Sequence, residues 1–407
     1  MPALIVAMIA SIAGPNGVAG AAELRLDAGL NGRVEYSDNI LLRFDPVPSW
    51  RVLVEPTATL VRSTESNQIS ARAKLGFNRY SSDIVPDATD RALNLAGTQS
   101  FDRGKVGLNV DLTRLSSQSA QVLGQTGINI GRRQIDSASV MPSWAYSVSP
   151  RTSLNASGTW TTTRFEQTTQ AQVTDFRTTS ATVGSTWALS ERSNIGLSVS
   201  YLDFDTSPFV SRSKSWSANA TLDHTASPTF KWSATVGLQR VSTQQNQVIL
   251  ICPVDPIFCQ LGLVAPIPSG FVGESTQLIL PFNLNAQWQV SERDSATAAF
   301  IQRVSPSGVG GLTAGFQINA SYRRAFAPTL DGAVTGGYVR TRALGGAAIG
   351  DVLSISPTLN WRISQPCTLT TGYIHTRLTY PSLDRTVAAN AVFVSLSYGW
   401  PQWTIGY

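Results

Sequence analysis

Gln68-Ile69-Ser70-Ala71-Arg72-Ala73-Lys74-Leu75-Gly76-Phe77-Asn78-Arg79-Tyr80 alternates apolar and polar residues almost without a break. Side chains on an extended strand point to opposite faces with a period of two. The segment therefore has an apolar face (Ile69, Ala71, Ala73, Leu75, Phe77) and a polar one (Ser70, Arg72, Lys74, Gly76, Asn78). The same beat returns at Val106, Leu108, Val110 and Leu112, at Leu278 to Val290, and at Leu353, Ile355, Pro357, Leu359, Trp361 and Ile363. No helical pattern intervenes. An architecture with an apolar outside and a wet inside, built from such strands alone, is a transmembrane antiparallel up-and-down β-barrel.

Composition agrees. Charged residues make up 14% of the 407-residue chain, against roughly 25% for an ordinary soluble protein. Small polar residues take their place, as suits a wall between lipid and water. Mean hydropathy is near zero, because lumen-facing and lipid-facing residues cancel. No composition shift divides the chain, so residues 23–407 read as one barrel domain. Net charge is +5, from 31 Lys+Arg against 26 Asp+Glu; this fits mild surface basicity or a pore biased toward anions.

Residues 1–22 differ from the rest. They are uncharged, run Leu4-Ile5-Val6-Ala7-Met8-Ile9-Ala10, break at Gly14-Pro15 and end in Ala19-Gly20-Ala21-Ala22. This is the pattern of a secretory signal peptide, too short for a membrane-spanning helix. It lacks the usual positively charged start, which a start codon further upstream would explain.

Short turn signals recur at Asp102-Arg103-Gly104, Ser149-Pro150-Arg151, Ser190-Glu191-Arg192, Ser227-Pro228, Ser291 to Asp294, Ala327-Pro328 and Gln365-Pro366. Most are about 35 to 45 residues apart, room for two strands and a longer loop. Nine hairpins, the first with its loop near Asp38 to Pro48, give about 18 strands within a range of 16–20. Short turns are expected at the periplasmic end and longer loops outside. A barrel of this size is wide enough for an aqueous channel.

One interval is longer, and its excess lies in residues 244–273. This stretch holds Cys252 and Cys259, expected to pair as a local disulfide, and is rich in Val, Ile and Leu. Three fates are open to it as an extracellular loop: folding into the lumen, lying across the mouth as a lid, or pairing as a further hairpin. Cys367 is left as a free thiol.

Trp160, Trp187, Trp216, Trp232, Trp288, Trp361, Trp400 and Trp403 fall within or at the ends of strands and read as an interfacial girdle. The closing alternation Trp403-Thr404-Ile405-Gly406-Tyr407 looks like a C-terminal assembly signal, with Trp403, Ile405 and Tyr407 on one face. The barrel-assembly machinery and outer-membrane lipid are then the expected partners. No nucleic-acid signature is present. Parity assigns Arg72, Lys74, Lys105, Asp111, Lys231, Arg323 and Arg362 to the lumen, in company with Asn78, Asn109 and Asn283.

Catalytic, metal-ligating and cofactor-binding motifs are missing. His224 and His375 fall on the lipid-facing register near strand ends. An outward-facing Ser and His would be needed for an outer-membrane hydrolase, and no Ser-centred motif supports one. No enzymatic activity, cofactor or metal is expected.

Val34-Glu35-Tyr36-Ser37-Asp38-Asn39-Ile40, with the turns Ser149 to Thr152 and Ser190 to Ser193, resembles a family of outer-membrane β-barrel porins, the beta-barrel porin 2-like proteins. Members are often encoded beside exopolysaccharide genes. The resemblance therefore implies a channel in the cell outer membrane that exports an exopolysaccharide, with the polysaccharide and periplasmic export components as partners. A general diffusion porin and a structural or adhesive barrel with a closed lumen are the alternatives.

Overall fold

The structure is a computed structural model that describes residues 23–116, 134–166, 174–207, 211–251, 267–307, 311–344, 346 and 348–406. Over 245–251 and 267–272 the backbone alone is described. The proposed export signal, Cys252, Cys259 and Tyr407 lie outside the described residues.

Twenty strands are described. The first ten are β1 (Glu23–Ser37), β2 (Ser49–Ser63), β3 (Asn67–Tyr80), β4 (Ala88–Phe101), β5 (Gly104–Ser116), β6 (Gln134–Ser149), β7 (Thr152–Phe165), β8 (Asp175–Ser190), β9 (Ser193–Ser207) and β10 (Ser211–Ser227). Then come β11 (Phe230–Ile251), β12 (Ile267–Ile279), β13 (Phe282–Gln289), β14 (Asp294–Ser307), β15 (Gly311–Ala327), β16 (Leu330–Ala343), β17 (Ala348–Arg362), β18 (Cys367–Tyr380), β19 (Arg385–Gly399) and β20 (Trp403–Gly406). β12 and β13 are two halves of one wall strand interrupted at Leu280-Pro281, and β19 and β20 are likewise interrupted after Gly399, so the wall has 18 staves. Each stave pairs antiparallel with the next. The ring closes where β1 meets β19, from Gly29 opposite Gly399 to Ser37 opposite Ala391, and β20, from Glu23 opposite Gly406.

Closure satisfies the strand edges except between β12 and the upper end of β14, and a closed ring is what lets a sheet stand in lipid. The turns at 64–66, 102–103, 150–151, 191–192, 228–229, 290–293, 328–329 and 363–366 are short and share one rim, the periplasmic one by the asymmetry of such barrels. The opposite rim carries the longer connections, including 38–48. One of them contains a 3-10 turn, Pro381–Leu383, ended by Asp384 in the left-handed region at φ 49°, which a short polar side chain tolerates.

Alternation is read out as a belt. Leu26, Leu30 and Val34 of β1, Val52, Val54 and Leu60 of β2, and Leu197 and Val199 of β9 are all exposed on the outer register. Aromatic residues gather on that register toward the periplasmic rim, among them Phe101, Trp144, Trp288, Trp361 and Trp400. Trp403, 71% exposed, and Ile405 join them, opposite Leu26 and Leu24 of β1. Trp216 shares the outer register with Ala218 and Ala220 and stacks obliquely on Tyr201 at 4.7 Å. An apolar belt around a closed barrel is the design of an outer-membrane protein. Val199→Arg, at mid-strand on this belt, is expected to cost about 2–4 kcal/mol of stability. Urea titration of the barrel folded in lipid vesicles measures it, and a loss below that of Val199→Ala would contradict a lipid-facing position.

Three prolines sit at mid-strand, while Pro268 and Pro306 lie near strand ends. Pro56, Pro142 and Pro357 each keep register with one neighbour, opposite Leu30, Leu108 and Val334. The ladder on the other side skips them. A residue without an N–H forfeits a bond on one side only, and the wall absorbs the loss locally.

In the stretch 244–273 the described residues pair, and they lengthen an existing hairpin rather than form a further one. β11 continues unbroken to Ile251 and β12 begins at Ile267, paired from Gln239 opposite Ile279 up to Ile251 opposite Ile267. The connection shrinks to 252–266, outside the described residues. Val, Ile and β-forming polar residues extend the existing hairpin, because backbone pairing continues wherever both chains stay extended.

Candidate functional site

Cross-strand register separates the lumen from the belt. Arg72, Lys74, Lys105, Asp111, Lys231, Arg323 and Arg362 all stand on the register opposite the exposed apolar belt. Lys105, Lys231, Arg323 and Arg362 lie at or close to the periplasmic turns. Two of the seven are in ion pairs: Lys74 Nζ with Glu55 Oε2 at 2.7 Å, and Arg323 with Asp331 Oδ1 at 2.9 Å. Asp111 accepts from Asn94 Nδ2 at 2.6 Å. Arg72, Lys105, Lys231 and Arg362, with Arg303 of β14, form no ion pair among the described residues. Glu23, Asp90, Asp111 and Asp223 on the same face are acidic groups in no ion pair among the described residues, so the excess is positive and small.

Polar ladders cross the same face. Arg51 donates to Asn78 Oδ1 at 2.9 and 2.7 Å, Asn78 Nδ2 to Asp90 at 2.9 Å, and the Ser116 amide to Asp90 Oδ1 at 2.7 Å. Asn78 and Asp90 are buried, and their partners make that burial tolerable. Asn31 accepts from the Ser395 and Ser397 hydroxyls across the closing seam. Asn360 bridges Asp331 and Thr370 at 3.0 and 2.9 Å.

Toward the extracellular end the inward register changes character. Phe204 (fully buried), Val241 and Leu312 form a cluster with Phe176, Leu202, Ile279 and Val304 around them. Ile135 and Phe165 pack on Phe176 from the other side, with the three rings linked at 6.1 and 5.6 Å. Val339, Val352 and Leu378 form a third cluster beneath Tyr380. The result is a set of apolar clusters on the inner wall at the outer mouth, set among buried polar side chains such as Asn78, Asp90, Thr178, Ser213 and Thr341. Burying each apolar side chain is worth about 1.5–3 kcal/mol, so the clusters also tie strands together.

Two members arrive from the wrong register. Val304 pairs with Ala314 and Pro306 with Leu312 on what is elsewhere the lipid side, yet Val304 and Leu312 pack on the inward-facing Phe204 and Val241. The reason lies at Pro281. β14 pairs with β13 only as far as Gln302 opposite Phe282, and β12 pairs with β11 alone. Freed above that point, the β14–β15 end leans inward until β10 and β15 come within 8 Å Cα to Cα, although three wall staves stand between them. Small buried side chains on β10 (Ser211, Ser213, Ser215) accommodate the approach, Ser213 bonded to Thr243 at 2.9 Å and Ser215 to Gln239 at 2.7 Å.

The apolar clusters on the inner register were not anticipated from the sequence. The signal was present: Phe165, Phe176, Phe204 and Leu378 share parity with the polar residues of their own strands, within four residues of the extracellular ends.

His224 and His375 stand on the outer register. His224 Nδ1 meets Ser193 Oγ at 2.9 Å at the periplasmic rim, beside Trp232. Among the described residues no carboxylate or amide holds its other ring nitrogen, the orienting contact a nucleophile–base pair uses. His375 Nδ1 lies 2.9 Å from Asn390 Oδ1, in a network that reaches Asp38.

No protein-family model matches the chain, and no curated protein matches it. Solved structures do match in outline. OpdK of Pseudomonas aeruginosa, solved with vanillate, is similar over 93% of this chain and 99% of its own at 12% identity and a TM-score of 0.48. OccAB3 of Acinetobacter baumannii is similar over 93% and 99% at 10% identity and 0.48. The ferric-catecholate import receptor Fiu of E. coli is similar over 92% and 82% at 7% identity and 0.49.

Proposed function

We propose that the barrel is a passive, porin-like channel of the outer membrane with a preference for small anionic solutes and apolar clusters at its outer mouth that restrict passage. The observation that carries this is the inward set Arg72, Lys105, Lys231 and Arg362, none in an ion pair among the described residues, in a wet lumen. Structural salt bridges use up charge, whereas unpaired cations facing water raise the local concentration of anions.

Export of a polysaccharide, which the family resemblance implies, is the weaker reading. A polymer's hydroxyls would lose water where they pass the apolar clusters at the outer mouth, at a desolvation cost for each one left unpaired. A closed structural barrel is the rival in kind, and it predicts no conductance. The test is planar-bilayer recording from the purified full chain. Discrete conductance steps with a reversal potential on the chloride side in a KCl gradient are expected. Silence under all voltages would end the channel reading, and a potassium-side reversal would end the anion preference.

A further inference from the structure

The outer register inverts near the extracellular rim, where the apolar belt gives way to arginines. Arg91, Arg114, Arg164, Arg177, Arg212 and Arg377 all stand there, while aromatic rings dominate the opposite rim. Phe101 and Arg91, at the two ends of β4, are separated by about the 9–11 residues a tilted strand needs to cross a bilayer. The arginines therefore sit at the outer interface.

Three of these arginines line up with Asp136 across adjacent strands. Arg91 is directly opposite Arg114, Arg114 opposite Asp136, and Asp136 opposite Arg164. Like charges directly opposite one another destabilise a sheet, so the Arg91–Arg114 pair calls for an anion. Arg114 is partly occupied, with Nε bonded to Gln134 Oε1 at 2.8 Å and 3.6 Å from Asp136. Arg91 and Arg164 make no hydrogen bond or ion pair among the described residues. The row crowns a groove of about 690 Å³ in the lipid-facing wall, floored by Leu75, Leu93, Leu112 and Ala138. Cationic head and apolar floor are the two halves of a site for an anionic amphiphile. At about 4.8 Å per strand, Arg91 and Arg164 stand roughly 14 Å apart, which suits a headgroup carrying an anionic group at each end of a disaccharide better than a single phosphodiester.

We infer that β4–β7 bind a bis-phosphorylated glycolipid of the outer leaflet, its phosphates on Arg91–Arg114 and Arg164 and its acyl chains along the Leu75–Leu93–Leu112 groove. Each guanidinium supplies paired donors to a phosphate, and Asp136 between them takes hydroxyl donors of the sugar.

The probe is diphosphoryl lipid A, titrated onto the detergent-purified full chain and read by native mass spectrometry. Wild type is expected to bind it at least tenfold more tightly than Arg91→Gln/Arg164→Gln, and more tightly than phosphatidylglycerol. Inorganic phosphate in excess is expected not to displace it. Arg324→Gln, an outer-register change at the periplasmic rim, serves as the matched control, and heat-modifiable gel mobility confirms that each variant is folded. Equal binding by the folded double variant, equal affinity for phosphatidylglycerol, or an equal loss in the control would overturn the assignment.

Discussion

Phe176→Ala combined with Phe204→Ala is expected to raise single-channel conductance severalfold in planar bilayers. The two rings stand 5.6 Å apart among the apolar clusters of the outer mouth, with Phe204 fully buried. An apolar constriction blocks ions by shedding water, and its barrier falls steeply once the bore is wide enough to stay wet. Removing two rings also removes packing, at about 3–5 kcal/mol for each Phe→Ala in a core. The wall, held by backbone pairing around the ring, is expected to survive that loss, and heat-modifiable mobility checks it. An unchanged conductance from a folded double variant would show that these clusters are not the barrier. A control at Phe300→Ala, on the lipid-facing register of β14, is expected to leave conductance alone.

Lys105→Gln, Lys231→Gln and Arg362→Gln together are expected to move the reversal potential toward the cation side. A unit charge about 10 Å from a permeating ion in water contributes about 0.4 kcal/mol. Three of them amount to about 1 kcal/mol, roughly a fivefold change for each ion at low salt, in opposite senses for anion and cation. The shift is expected to fade as salt approaches 1 M, where the Debye length falls to about 3 Å. A salt-independent change would point to altered bore size, and no change at any salt would mean these side chains do not face the permeating ion.

The wall was legible because alternation is a local property. Any strand half in lipid and half in water must repeat every two residues, so Ile69 to Phe77 could be assigned a face from neighbours alone. Turn residues mark hairpins for equally local reasons, and Pro150, Pro228 and Pro328 fall where the chain reverses. Of the three fates open to the stretch 244–273, pairing is the one its described residues adopt, which apolar character alone does not select. In the fold it lengthens the β11–β12 hairpin up to Ile251 and down from Ile267.

The sites were less legible than the wall. Phe165, Phe176 and Phe204 are far apart in sequence and meet only because β7, β8 and β9 are neighbours in register. Val304 and Leu312 could not be placed by parity at all. Their strand leaves the wall where Pro281 interrupts its partner, and leaving the wall exchanges inside for outside. The arginines at the outer rim follow the same boundary from the other side: beyond the lipid, the outer face no longer needs to be apolar.

By itself, then, the sequence determined a closed β-wall, its approximate stave number and which residues of each strand face lipid, since period and turn chemistry act within a few residues. Only the tertiary structure decided that apolar clusters gather inside the outer mouth and that Arg91, Arg114, Asp136 and Arg164 form one row. Both depend on which strands lie side by side and in what register, and register belongs to the closed barrel as a whole.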